Sequence, residues 1–356
     1  MFFKTNKVIV SVVIFITVGV GLAYSILFLV LLPLGAKEVQ RHKDVQLPAL
    51  ESKKTEETGI SIFAVGDIML DRGVRLRSDK LGEQYPTANL NKDLFFNSDI
   101  VIGNLEGAIS KRRAPEKLYD FVFDASSVSL LKNFNFTAFN LANNHALDQG
   151  DQGFIDTKKV LENENFGFFG DPLTDSGLLW QTTVNNKKIA FLGYSIVGKK
   201  FDEEKAESAI KEAVASHDLV IVSVHCGEEY QPLPSAYQKY IGRKFIDWGA
   251  SAVIGHHPHI IEGMEIWKDK PIFWSLGNFI FDQDWSKETQ QGMAIKIVVD
   301  KLNYEFILYP VIIEKGQVSF AEGENKVRLV KLFIDRSELN DAMIVNVNEG
   351  VINYDK

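Results

Sequence analysis

The chain has 356 residues, 46% hydrophobic and 24% charged, with a formal net charge of -8. Length allows about two average domains or one large one, and the composition excludes a disordered, coiled-coil or collagen-like chain. The acidic balance argues against a general nucleic-acid binder, and the single cysteine, Cys226, excludes both an intrachain disulfide framework and a zinc site needing several thiolates.

Between Lys7 and Lys37 no residue is charged. A membrane-spanning helix needs roughly 20 apolar residues, so this run predicts an N-terminal tail and transmembrane anchor over residues 1–36. A cleaved signal peptide is the competitor, with Leu34-Gly35-Ala36 as a small-residue cleavage site, although its apolar core is usually shorter. Lysines and an arginine flank both ends, so charge does not settle orientation; the short tail favours a single-pass cell-membrane anchor with the large domain extracellular. Residues 37–59 carry five charges of each sign and read as a solvated spacer.

From residue 60 onward strand-like and helix-like stretches alternate. Strands are predicted at Ile60–Val65, Asp99–Ile102, Thr137–Leu141, Ile189–Tyr194, Leu219–Val224, Ala252–Ile254 and Pro271–Ser275; these short apolar runs suit strands buried on both faces. Helices are predicted at Asp124–Asn133, Gly153–Asn163, Glu203–Ser216 and Ser235–Trp248, the last with Tyr237, Tyr240, Ile241, Phe245 and Trp248 on its apolar side. The C-terminal runs Gly292–Val299, Tyr304–Ile313, Gln317–Ala321 and Val327–Ile334 read as consecutive antiparallel strands of a second sheet. The pattern is that of one large α/β domain, residues 60–356.

Polar clusters follow most strands at once: G-D-I-M-L-D from Gly66, G-N-L-E-G from Gly103, A-N-N-H-A-L-D-Q-G from Ala142, H-C-G-E-E from His225, G-H-H-P-H from Gly255 and L-G-N-F from Leu276. Ligands of α/β sheets bind beyond the carboxyl ends of the strands, so these loops should converge on one rim. The chemistry-bearing residues are Asp67, Glu106, Asn143 or Asn144, His145, His225, His256, His257 and His259, which include five of the seven histidines. Carboxylate, amide and imidazole donors without thiolate suit Mn, Fe or Zn, as one or two ions. Asp71, Asp148 and Glu228 read as supporting or capping groups, and Met69 and Cys226 as core-facing.

These motifs, in this order, resemble the CapA (PgsA) family of poly-γ-glutamate capsule synthesis proteins, which is itself similar to the calcineurin-like metallophosphoesterases. The resemblance covers residues 60–285. It implies a four-layered α/β/β/α sandwich. It implies metal ligands at Asp67, at Asn104 or Glu106 in place of a bridging carboxylate, and at Asn144, His225, His257 and His259. Asn144 with His145 resembles the Asn-His pair that serves as ligand and proton donor; His256, Asn143 and Glu228 are additional candidates. Met69 stands where the phosphoesterases carry histidine, and Asn104 where they carry the bridging aspartate; both departures remove a ligand from one metal. The resemblance implies an anchored subunit of poly-γ-glutamate synthesis and export. It would work with the ligase, the integral-membrane subunit, the membrane and the anionic polymer, but with no nucleic acid. An extracellular metal-dependent phosphoesterase and a catalytically inert scaffold are the alternatives.

Overall fold

The computed structural model describes residues 59–111, 119–300 and 303–354. The predicted anchor and all but the last residue of the predicted spacer lie outside them. Among the described residues no helix is long and apolar enough to cross a membrane.

The chain opens with β1 (Ile60–Ile68), followed by helix α1 (Arg72–Leu81) and the single turn α2 (Asp93–Phe96). Next come β2 (Ile100–Leu105), a two-residue ladder of β3 (Ala108–Ile109) with β4 (Val122–Phe123), and α3 (Ala125–Lys132). Strand β5 (Ala138–Asn140), helix α4 (Gly150–Asn163) and β6 (Gly167–Phe169) complete this half. Strands β1, β2, β5 and β6 are parallel neighbours in that order. Alternation along β1 decides its two faces. Phe63 and Val65 enter one apolar core with Val128 and Leu131 of α3 and Phe154 and Leu161 of α4. Ile60, Ile62 and Ala64 enter a second core on the other face.

The middle of the chain builds a separate sheet. Its strands are β7 (Trp180–Val184), β8 (Lys187–Ser195), β9 (Leu219–His225), β10 (Ala252–His256), β11 (Met264–Trp267) and β12 (Lys270–Phe273). They lie in the order β11-β12-β10-β9-β8-β7, with β8, β9, β10 and β12 parallel. Helices α5 (Glu203–Ser216) and α6 (Ala236–Asp247) cover the outer face. Ala206, Ile210, Ile241 and Phe245 pack there with Leu192, Val222 and Tyr194. Ser235 opens α6 with a capping box closed by Gln238. Tyr237 and Tyr240 are exposed, contrary to the predicted apolar side, whereas Trp248 is buried.

The chain then returns to the first sheet through β13 (Asn278–Ile280), β14 (Gln291–Asp300), β15 (Asn303–Glu314) and β16 (Gln317–Phe320), and after helix α7 (Gly323–Asp335) through β17 (Met343–Asn346) and β18 (Val351–Tyr354). Strand β14 pairs antiparallel with β1, from Ile60 opposite Val299 to Ala64 opposite Ile295. Two expectations are corrected here. The C-terminal strands extend the sheet that β1 begins, and the second sheet is made by β7 to β12. The predicted strand Val327–Ile334 is part of helix α7, which buries Leu329, Val330 and Phe333 at helical spacing and leaves Val327 exposed.

The core between the sheets holds Ile62 and Ile102 from one side and Phe191, Ile221 and Ile254 from the other, with Phe333 of α7. The layers therefore run helix, sheet, sheet, helix. Both parallel strand sets end at one rim.

Candidate metal centre

Strand register places the polar residues in two rows. Across the first sheet Asn140 lies beside Asn104, Asn104 beside Asp67, and Asp67 beside Asn278. Across the second sheet His225 lies beside His256. The close approach of strands here requires glycine: a Cβ on Gly66 would lie 2.0 Å from the Gly277 carbonyl oxygen, and one on Gly255 1.9 Å from that of Trp274. The G-H-H-P-H turn holds His257 and His259 at φ of 100° and 61°, a backbone that non-glycine residues seldom adopt.

Asp67 is fully buried at the centre. Its Oδ1 accepts from Asn104 Nδ2 at 2.9 Å and lies 3.2 Å from His256 Nδ1; its Oδ2 accepts from the His257 amide at 3.3 Å and lies 3.3 Å from His259 Nδ1. Burial would raise its pKa, but the neighbouring imidazoles of His256 and His259 outweigh it and hold the carboxyl well below the usual range. Glu106, equally buried, is pushed well above the usual range by burial and by the nearby carboxylates, with His259 opposing. Burial acts to lower His259, yet Glu106 and Asp67 raise it to about 9. His225 and His257 move the other way: burial and each one's neighbouring histidine lower both, His257 to about 4.

Two sets of ligand atoms result. Asp67, Glu106 and His225 form one, Glu229, His257 and His259 the other, with the donor atoms of each set within 4.8 Å of one another. Glu106 Oε1 and His257 Nδ1 are buried without a hydrogen-bond partner among the described residues. Leaving such atoms unsatisfied is costly, and a divalent cation satisfies a carboxylate oxygen and an unprotonated imidazole nitrogen together. The donor set therefore fits a hard or borderline divalent ion.

The remaining predicted residues take distinct places. Asn144 Oδ1 meets His225 Nε2 at 2.8 Å and belongs to the centre. Asn104 is a hub: its amide reaches Asp67, Glu106 and His225, and its Oδ1 accepts from Asn140 and Asn143. Asn143 is occupied structurally, donating to the Leu105 carbonyl and accepting the His145 amide. His256 lies against Asp67 at the joint between the sheets. Asp71 accepts the Val122 amide, while Met69 and Cys226 are buried in the apolar cores. Glu228 is exposed and belongs to neither ligand set; its neighbour Glu229 does. The geometry thus favours Glu229 over the predicted Glu228 as a candidate ligand.

His145 stands beside Glu106 and is held on two sides. Its Nδ1 meets Asp148 Oδ2 at 2.7 Å, its ring stacks on Phe121 at 3.9 Å, and its Nε2 faces Glu106 Oε1 at 3.9 Å. Asp148 also accepts the Phe121 amide at 2.9 Å, so one carboxylate sets both rings. A carboxylate on Nδ1 orients the imidazole and fixes which nitrogen faces the site. Above His145 opens a cleft of about 720 Å³ that also includes Arg72, Tyr119, Tyr230, Gln283 and Trp285. None of these five was predicted. The aromatics carry no spacing signal, and Arg72 reads as an ordinary helix residue. Asn278, whose Oδ1 accepts from His259 Nδ1 at 3.0 Å, stands in the Leu-Gly-Asn-Phe cluster, to which the sequence assigns no role.

The family model for bacterial capsule synthesis protein PGA_cap matches residues 61–283. The chain belongs to this capsule synthesis family. Among its relatives, the PGA biosynthesis protein CapA of Bacillus subtilis is 34% identical over 66% of this chain and 67% of its own length. The capsule biosynthesis protein CapA of Bacillus anthracis is 29% identical over 77% and 73%. Among solved structures, a novel phosphatase from Mycoplasma pneumoniae covers 73% of this chain and 90% of its own, with a TM-score of 0.43 and 13% identity. All the motifs that build the PGA_cap rim, from Asp67 to Asn278, fall inside the matched residues.

Proposed function

We propose that this protein is a membrane-anchored subunit of poly-γ-glutamate capsule synthesis and export, its large domain outside the membrane and one or two divalent ions (Mn, Fe or Zn) at the rim. The observation that carries the reading is the meeting of Asp67, Glu106, Asn144, His225, Glu229, His257 and His259 in a chain of the capsule family. The naming of the Bacillus subtilis relative as a PGA biosynthesis protein supports the polymer. The uncharged run over residues 8–36 supports the anchor. The ligase and the integral-membrane subunit of the synthase are the partners.

The two ligand sets would hold the metal, which supplies Lewis-acid polarisation of a carboxylate or phosphoryl oxygen when bound. Asn104 holds Asp67 and His225 in place. His145, steered by Asp148, presents Nε2 as the proton donor to a departing group. Phe121 shields one face of that imidazole from water.

Metal analysis of protein purified with Mn²⁺ present tests the reading, alongside capsular polymer output in cells. Asp67→Ala and His225→Ala should each lose bound metal and polymer output together. A metal-free wild type, or variants with normal polymer output, would refute it. The His145–Asp148 pair beside the ligand sets favours a second reading, an extracellular metal-dependent phosphoesterase. Under that reading, purified protein hydrolyses a generic phosphodiester with Mn²⁺, and Asp67→Ala abolishes it.

A further inference from the structure

We propose that Arg72 anchors an oxyanion of the substrate in the cleft above His145; naming that oxyanion as a carboxylate of the glutamyl polymer rests on the function proposed above. Among the described residues Arg72 is the one lysine or arginine that lines the cleft, whose other charged walls include Asp148 and Glu229. An acidic cleft repels a polyanion unless cations offset it.

Arg72 is built in, not draped over the surface. Its Nε and Nη2 donate to Asp282 at 3.1 and 2.6 Å, which leaves Nη1 without a partner among the described residues. The guanidinium carbon lies 5.2 Å from the centre of the Phe121 ring, and that ring stacks on His145. The cation therefore stands one ring away from the proton donor. Its backbone has φ of 52°, and it opens α1 without glycine's freedom. Strain of this kind gathers where a ligand is held.

The loop opposite is arranged for the same end. Asp282 and Asp284 turn to Arg72 and Arg77 of α1, and the residues between and after them turn to the cleft. Gln283 donates to the Tyr230 hydroxyl, and Trp285 meets Tyr230 edge-on at 6.0 Å while remaining 60% exposed. A γ-linked glutamyl repeat offers one carboxylate for the Nη1 side of the guanidinium and two methylenes for an aromatic wall. A phosphoryl group offers the same oxyanion chemistry without the methylenes.

The test uses the full chain in detergent with Mn²⁺ and three probes: a short γ-linked glutamyl oligomer, its neutral α-amide counterpart, and inorganic phosphate. Binding is read by calorimetry and by tryptophan fluorescence. The glutamyl oligomer should bind the wild type at least tenfold more tightly than the neutral amide oligomer does. Arg72→Gln should weaken it at least tenfold, and Arg72→Lys, which keeps the charge but not the planar guanidinium, by a smaller factor, with metal content unchanged. Equal binding of the neutral oligomer to the wild type, which requires no variant to fold, would overturn the proposal. So would unchanged binding in both variants. Arg72-dependent binding of phosphate with no binding of the glutamyl oligomer would keep the oxyanion anchor and overturn the polymer as its source.

Discussion

Glu262 is wholly buried behind the G-H-H-P-H turn, and no role in the metal centre uses it. One carboxylate oxygen accepts from Gln238 Nε2 at 2.7 Å; the other has no hydrogen-bond partner among the described residues. Burial pushes its pKa from 4.5 to about 8, only partly offset by the Gln238 bond and the charge of Arg336. The folded state therefore holds a proton that the unfolded chain releases above pH 4.5. Stability falls as pH rises through the window from 4.5 to about 8, by about 1.4 kcal/mol per unit. At pH 7 the accumulated cost is about 3 kcal/mol. Below pH 4.5 both states are protonated and the group contributes nothing. Glu262→Gln keeps the oxygen that faces Gln238 and never ionises. Urea unfolding of wild type and variant at pH 5, 6, 7 and 8 cancels every titration the two share. The advantage of the variant should grow by about 3–4 kcal/mol from pH 5 to pH 8. A difference that stays flat within about 1 kcal/mol would refute the assignment of a buried, neutral Glu262.

Three further outcomes are expected. Gly255→Ala drives a Cβ to 1.9 Å from the Trp274 carbonyl oxygen, so it should cost at least about 3 kcal/mol and lower the thermal midpoint measurably; an unchanged midpoint would contradict the strand approach. Asp148→Asn should leave metal content intact while lowering polymer output about 10-fold or more, because His145 loses its orienting carboxylate; normal output would remove His145 from the reaction. Glu229→Gln should weaken Mn²⁺ binding several-fold in a calorimetric titration and Glu228→Gln should not, since only Glu229 shares a ligand set with His257 and His259.

The sequence alone determined what chemistry stands near the rim ends of the strands, although the strands run on past the predicted ends, through Asp67, Asn104, His225 and His256. Short apolar runs closed by Gly-Asp, Asn-Asn-His or Gly-His-His are local patterns, and local hydrogen bonding and burial make them legible. Asp67, Glu106, Asn144, His225, His257 and His259 were all readable in this way, and the same motifs carried the family. Side-chain direction within a turn was not readable. Gly227 at φ of 113° and Tyr230 at 64° bracket Glu228 and Glu229, and it is Glu229 that lies within reach of His257 and His259 in the candidate ligand set. Helix α7 is not distinguishable from a strand by local pattern, because its Val, Leu and Ile residues satisfy a strand pattern as well as a helical one. Only the tertiary structure decided which strands share a sheet. Ile60 pairs with Val299 across nearly the whole domain, a choice made by long-range packing that no local periodicity records. That same pairing brings β13 beside β1, Asn278 beside Asp67, and the Asp282 loop against α1. The predicted residues become a centre with a cleft above it because the two sheets, whose membership only long-range packing decides, end at the same rim.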